Sequence, residues 1–109
     1  METVSIDPGV DGELDVVLRG ELDFTNAAPV IEAIRGAVAQ HRPARVRVDL
    51  AKVTFLDSSG IAVLVNAMKA AESVEAGYRV ENPNLKVADQ LRITGLLEAF
   101  GLTAPAEGS

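Results

Sequence analysis

Cysteine and tryptophan are absent from this chain, and histidine occurs once. Without cysteine there is no disulfide framework and no thiolate zinc site, and a single histidine cannot supply ligand spacing for a metal. A reducing compartment fits that usage. Aromatic residues make up 4% of the chain, so the core must be aliphatic, and the stacking rings that single-stranded nucleic-acid binding needs are missing. Positive charge is also short. Ten Lys and Arg stand against sixteen Asp and Glu, a net charge of −6, which leaves no cationic surplus to displace counterions from a phosphate backbone. A basic protein surface remains a compatible partner. The longest strongly apolar stretch, GIAVLVNAM, falls far below the roughly 20 residues that span a bilayer. The N-terminal METVSIDPGVDGELD carries acids and proline where a signal peptide has a basic start and an apolar run. These absences describe a cytoplasmic protein that inserts in no membrane, binds no nucleic acid and implies no cofactor or metal.

What is present is a chain of 109 residues, 48% hydrophobic, which is enough for one domain with a real core. The reading is a single domain over residues 1–109, with TAPAEGS at about 103–109 as a frayed tail. Val4 to Ile6 alternates weakly and runs into the turn cluster DPGVDG. LDVVLRGELD then alternates cleanly, with Leu14, Val16 and Leu18 on one face and Asp15, Val17 and Arg19 on the other. The two segments predict a hairpin. FTNAAPVIEAIRGAVAQH predicts a helix, with Thr25 or Asn26 as its cap, Pro29 in its first turn and an apolar stripe of Val30, Ile31, Ile34, Ala37 and Val38. Pro43 closes it. RVRVDL alternates again through Val46, Val48 and Leu50, and VTF continues it as a short extended piece.

A second helix is predicted from Ser58 or Ser59 to about Glu75. Its core stripe is Ile61, Leu64, Val65 and Met68, and Gly77 is its stop. YRVEN predicts another short strand and LKVADQLRITG a third helix ended by Gly95, with LLEAFGL as a last short helical or irregular piece. The order β-β-α-β-α-β-α predicts an α/β domain, with a roughly four-stranded mixed sheet and helices packed mainly on one face.

Enzymatic signatures are missing. His41 lies in the loop segment QHRPAR. No Gly-Lys-Ser/Thr phosphate loop occurs, and neither Ser58 nor Ser59 has the upstream glycine of a nucleophile elbow. The chain therefore reads as a binding or switch module and not as an enzyme. The stretch that carries this reading is FLDSSGIAVLVNAM, Phe55 to Met68. Asp57, Ser58 and Ser59 are all residues that cap helices, through oxygens that accept orphan N–H groups. One cap needs one side chain, so at least one hydroxyl should be free. The motif follows a strand, where α/β domains present ligands, and a phosphate there would meet unpaired N–H groups at a positive helix end. It would also add about −1.5 to −2 charges beside Asp57.

GELD at Gly20–Asp23, VTFLDSSGIAVLV at Val53–Val65 and LRITGLLEAF at Leu91–Phe100 resemble, in order and over nearly the whole chain, three landmarks of the STAS domain (sulphate transporter and anti-sigma factor antagonist). The resemblance is closest to free-standing bacterial anti-sigma factor antagonists. It implies that the chain binds a serine-kinase anti-sigma factor, a GHKL-type ATPase, and so releases a sigma factor. It implies that the kinase phosphorylates Ser58 and breaks the complex, and that a metal-dependent serine phosphatase restores it. Asp57 and Ser59 then frame the phosphoacceptor, Gly60 allows close approach of a partner backbone, and Asp23 lies near the same surface. Asp23 has an equally simple reading as a turn acid or a cap for the helix after it. Phe24 and Thr25 are further partner contacts, with Phe24 also read as a half-buried anchor. The alternative that the resemblance leaves open is a STAS protein with another partner, such as a stressosome scaffold or the cytoplasmic accessory subunit of a lipid-transport ATPase.

Overall fold

The structure, a computed structural model, describes residues 3–95. Strand β1 (Val4–Pro8) and strand β2 (Glu13–Leu22) form the antiparallel hairpin. Helix α1 (Ala27–His41) leads to strand β3 (Arg45–Leu56), which lies parallel to β2. Helix α2 (Ser58–Ser73) leads to strand β4 (Gly77–Glu81), parallel to β3, and helix α3 (Leu85–Ile93) follows. The sheet order is β1-β2-β3-β4. The mixed four-stranded α/β sheet predicted from the sequence is therefore present. The LLEAFGL piece and the tail lie outside the described residues.

Strand β3 takes in both RVRVDL and its continuation VTF. Its buried residues are Val46, Val48, Leu50, Val53 and Leu56, and the spacing changes from two to three after Leu50. Strand β2 keeps strict alternation, so the pairing must absorb the difference. It does so at two register shifts. Val17 pairs with Asp49 but Arg19 with Lys52, and Gly20 pairs with Val53 but Glu21 with Phe55. Each is a bulge that inserts one extra β3 residue and turns the next apolar side chain back to the core. The shifts bring Leu22 and Leu56 opposite each other at the carboxyl ends of the two strands.

One core holds the buried faces of all three helices against the inward residues of β2, β3 and β4. In α1 the fully buried residues are Ala27, Val30, Ile34 and Val38. In α2 they are Gly60, Val63, Leu64, Ala67 and Ala71, whereas Ile61, Val65 and Met68 are only partly buried against the core. All four residues of the predicted stripe therefore face the core, with Leu64 fully buried, and Gly60, Val63, Ala67 and Ala71 widen the buried face beyond it. Tyr78, on the same sheet face, donates its hydroxyl to the Leu64 carbonyl of α2 at 2.8 Å, and burial pushes its pKa well above the ordinary phenol value. The opposite sheet face is ionic. Arg45 pairs with Glu13 at 3.2 Å, and Arg47 bridges Asp15 at 3.3 Å and Glu81 at 3.6 Å. Such half-exposed pairs contribute about 0–1 kcal/mol each and keep that face wet.

Strand β4 pairs only with Arg45–Asp49, so the second half of β3 has a free edge. Helix α3 seals it with amides. Asn84 Nδ2 donates to the Val53 carbonyl at 3.1 Å, and Gln90 Nε2 donates to the Leu56 carbonyl at 2.7 Å. Asn84 Oδ1 also accepts from Val87 N and caps α3, whose Val87 and Leu91 are fully buried.

The stop of α2 differs from the predicted one. Gly77 is the first residue of β4, and Glu75 takes the left-handed turn at φ 59°. Its N–H donates to the Glu72 carbonyl at 3.0 Å, and Ala76 N–H donates to the Ala71 carbonyl at 2.8 Å, the paired bonds of a Schellman stop. A β-carbon in that conformation costs about 1–2 kcal/mol. Glu75→Gly should therefore raise stability by up to about 1 kcal/mol, after the larger unfolded-state entropy of glycine is subtracted. Urea unfolding of the two proteins checks the sign.

Candidate functional site

The carboxyl ends of the parallel strands β2 and β3 place Asp23 and Asp57 on one edge of the sheet. Leu22 and Leu56 are paired, and Asp57 N–H donates to the Leu22 carbonyl at 3.2 Å, so the two acids follow directly from adjacent strand ends. Neighbouring strands lie about 4.8 Å apart, which makes Asp23 and Asp57 lateral neighbours.

Asp57 is the N-cap of α2. Its backbone is extended, and its Oδ1 accepts from Ser59 N–H at 2.7 Å and Gly60 N–H at 3.0 Å. Such a cap stabilises a helix by about 1 kcal/mol. One carboxylate thus does all the side-chain capping. Neither serine hydroxyl makes a hydrogen bond among the described residues, so of the hydroxyls expected to include at least one free group, both are free. They differ in exposure, with Ser58 open to solvent and Ser59 half-buried. The N–H groups of Ser59 and Gly60, which a phosphate was expected to find unpaired, are already held by Asp57.

Gly60 is fully buried. A β-carbon built on it would lie 2.5 Å from the Leu22 carbonyl oxygen, 2.9 Å from Leu22 Cβ and 3.0 Å from Leu56 Cδ2. The close approach that glycine permits here is to Leu22 of the same chain. It lets the first turn of α2 sit against the end of β2, and so fixes Ser58 beside the loop that leaves β2.

That loop is braced from both ends. Asp23 Oδ1 accepts from Thr25 N–H at 3.0 Å and from the Thr25 hydroxyl, and Thr25 holds the carboxyl of Asp23 below its ordinary pKa of 3.8. Asp23 therefore stays ionised throughout the neutral range. Asn26 occupies the N-cap position of α1 but does not cap it. Its Oδ1 instead accepts from Asp23 N–H at 3.1 Å, and its Nδ2 donates to the Glu21 carbonyl at 2.8 Å. Phe24, read as half-buried, is 79% exposed at the tip of this loop, and Thr25 beside it is exposed as well. The brace escaped the sequence reading because Asn before a helix signals a cap, and nothing local distinguishes a cap from a back-turned amide. Gln90 also escaped it, because its contact with Leu56 spans 34 residues.

Among the described residues, no group of three or more His, Cys, Asp or Glu is placed to hold a metal ion, and no helix is long and apolar enough to cross a membrane.

Against known proteins, the family described as STAS domain matches residues 4–108. The anti-sigma-B factor antagonist of Bacillus subtilis (strain 168) is 28% identical over 98 residues, which cover 90% of this chain and 88% of that protein. The solved structure of the anti-sigma factor antagonist SpoIIAA in its unphosphorylated form superposes with a TM-score of 0.78 at 21% identity, over 96% of this chain and 90% of the other. A crystal structure of an anti-sigma factor antagonist from Mycobacterium paratuberculosis gives a TM-score of 0.73 at 29% identity, over 97% of this chain and 88% of the other.

Two glycines inside helices test the geometry by opposite signs. Alanine in a helix interior is favoured over glycine by about 0.8–1 kcal/mol. Gly36 in α1 has nothing within 4 Å of a built β-carbon, so Gly36→Ala should stabilise by roughly that amount. At Gly60 the clash with Leu22 backbone should reverse the sign, and Gly60→Ala should destabilise by about 1–3 kcal/mol as an overpacked site. Thermal unfolding of both variants measures the difference.

Proposed function

This chain belongs to the STAS domain family, and we propose that it acts as an anti-sigma factor antagonist whose grip on a serine-kinase anti-sigma factor is switched off by phosphorylation of Ser58. The observation that carries the proposal is the state of Ser58: exposed, unbonded, in the first turn of a helix capped by its neighbour, on the strand edge that also bears Asp23. The likeness to anti-sigma factor antagonists supports the choice of partner.

In this mechanism the unmodified edge docks on the anti-sigma factor, a GHKL-type ATPase, and displaces the sigma factor. Asp23, Asp57, Ser58 and Ser59 are partner contacts, and Gly60 seats the turn that presents them. The kinase then transfers a phosphoryl group to Ser58 Oγ. No internal bond of the fold is lost, because that hydroxyl makes none. The modified serine carries about −1.5 to −2 charges at neutral pH. With Asp57 committed to Ser59 and Gly60 N–H, and Asp23 ionised beside it, the new charge enters an already anionic edge. Stripping water from an added charge that the interface leaves unpaired costs several kcal/mol, enough to release the partner. A metal-dependent serine phosphatase resets the edge. The chain itself is a cytoplasmic regulator and performs no catalysis.

The test uses each purified GHKL-type serine-kinase anti-sigma factor of the source organism. With the one that binds, ATP should place phosphate on Ser58, located by mass spectrometry; modification of Ser59 alone would refute the assignment. Ser58→Ala should unfold within about 0.5 kcal/mol of wild type, as an exposed position without contacts does, and should bind but stay insensitive to ATP. Ser58→Asp should gain about 0.3–1 kcal/mol of stability from its charge near a helix N-terminus and yet lose affinity by at least about tenfold, or 1.4 kcal/mol. Stability and affinity moving apart in that one variant is the signature of a charge switch; equal affinity of Ser58→Asp and wild type would exclude it.

A further inference from the structure

Lone exposed apolar side chains are ordinary, and Val10, Leu85 and Ile93 are exposed without further peculiarity. Phe24 differs in three respects. It is 79% exposed in a chain with only three Phe and one Tyr. Of the other described aromatics, Phe55 is half-buried with Lys86 Nζ 5.4 Å from its ring centre, and Tyr78 ties its hydroxyl to α2.

Second, it sits in a turn that its neighbours brace. Asp23 and Asn26, on either side, exchange side-chain bonds with the loop, and the Asp23 carbonyl accepts from Asn26 N–H at 3.2 Å and Ala27 N–H at 3.0 Å. An aromatic ring held on a pre-ordered turn loses little entropy when it docks, which is the property of an interface anchor.

Third, the surface continues from the ring. A hollow of about 400 Å³, mostly apolar, opens beside the loop between Thr3 and Val4 of the first strand segment and Thr25, Asn26, Pro29 and Val30 at the start of α1. A knob and a hole therefore stand together at the loop that leaves β2, whose first residue follows the Leu22 carbonyl that holds Asp57 N–H.

We infer that Phe24 is the apolar anchor of the partner interface, inserting into an uncharged socket on the anti-sigma factor kinase while the adjoining hollow receives an apolar side chain from the same partner. This rests on the proposed function and names what supplies the affinity in it. It also explains why one phosphoryl group suffices. An apolar contact holds only while the surface around it sheds its water, and a dianion at Ser58 keeps the neighbouring edge hydrated.

The experiment titrates the kinase that binds the wild-type chain against Phe24→Ala, Phe24→Leu and Val30→Phe, the last to fill the hollow from below. Phe24→Ala should weaken binding by about 30-fold or more, the loss typical of a hot-spot truncation. Its melting temperature should be unchanged, and Ser58 should be phosphorylated at the wild-type rate once the kinase is saturated, so that KM rises and kcat does not. Phe24→Leu should recover most of the affinity. Val30→Phe, scored only if it melts as wild type does, should weaken binding independently. Affinity of Phe24→Ala within about threefold of wild type would overturn the inference and leave the proposed function standing. A lowered melting temperature with unchanged affinity would also overturn it, assigning the ring to a contact within the chain. If no kinase binds the wild-type chain, the proposed function falls and the anchor with it.

Discussion

The contact on which the rest depends is between Gly60 and the Leu22 carbonyl. Strand β2 ends there, α2 begins there, and no β-carbon fits between them. The same carbonyl accepts the Asp57 N–H, so the end of one strand holds the end of the next and the helix that grows from it. Ser58 owes its position to this contact more than to its own side chain. Asp57 fixes the turn from one side and Leu22 from the other, and the serine between them is left with nothing to do for the fold.

That junction needs β2 and β3 to finish level, which their lengths alone would not ensure. The two bulges in β3 accomplish it. They take up the extra residues between Asp49 and Leu56 and keep both Val53 and Leu56 in the core. The amides of Asn84 and Gln90 then close the edge that β4 is too short to cover. Packing on one face of the sheet is thereby converted into a fixed spacing along its edge, where Asp23 and Asp57 stand as neighbours.

Much of this was legible in the sequence. Alternation in LDVVLRGELD and RVRVDL marks the two central strands, and period-3.6 stripes mark the helices. DSSG between a strand and an apolar helix locates the edge. The misread details share a physical reason, which is that backbone geometry can place a residue against its usual preference. The bulges before and within VTF went unseen because each shifts the apolar phase by only one residue. The buried face of α2 is wider than its large apolar residues suggested, because Gly60, Ala67 and Ala71 are buried too and their small side chains carry little signal. Gly77 looked like the helix stop, while Glu75 takes the left-handed turn. Asn26 looked like a cap, while its amide turns back to Glu21 and Asp23. Sequence patterns report side-chain chemistry well, and they report such three-dimensional compensation poorly.

The cap formed by Asp57 has a consequence for time as well as for charge. A phosphoryl group bound by the free N–H groups of a helix end would be sheltered and slow to leave. At this site those donors are occupied by a carboxylate, so a phosphoryl group on Ser58 would project into water with no tight protein cradle. Its lifetime would then be set by whichever enzyme removes it and not by the chain that carries it. A mark of that kind would store no memory of its own, and the modified fraction would follow the ratio of writing to erasing at each moment.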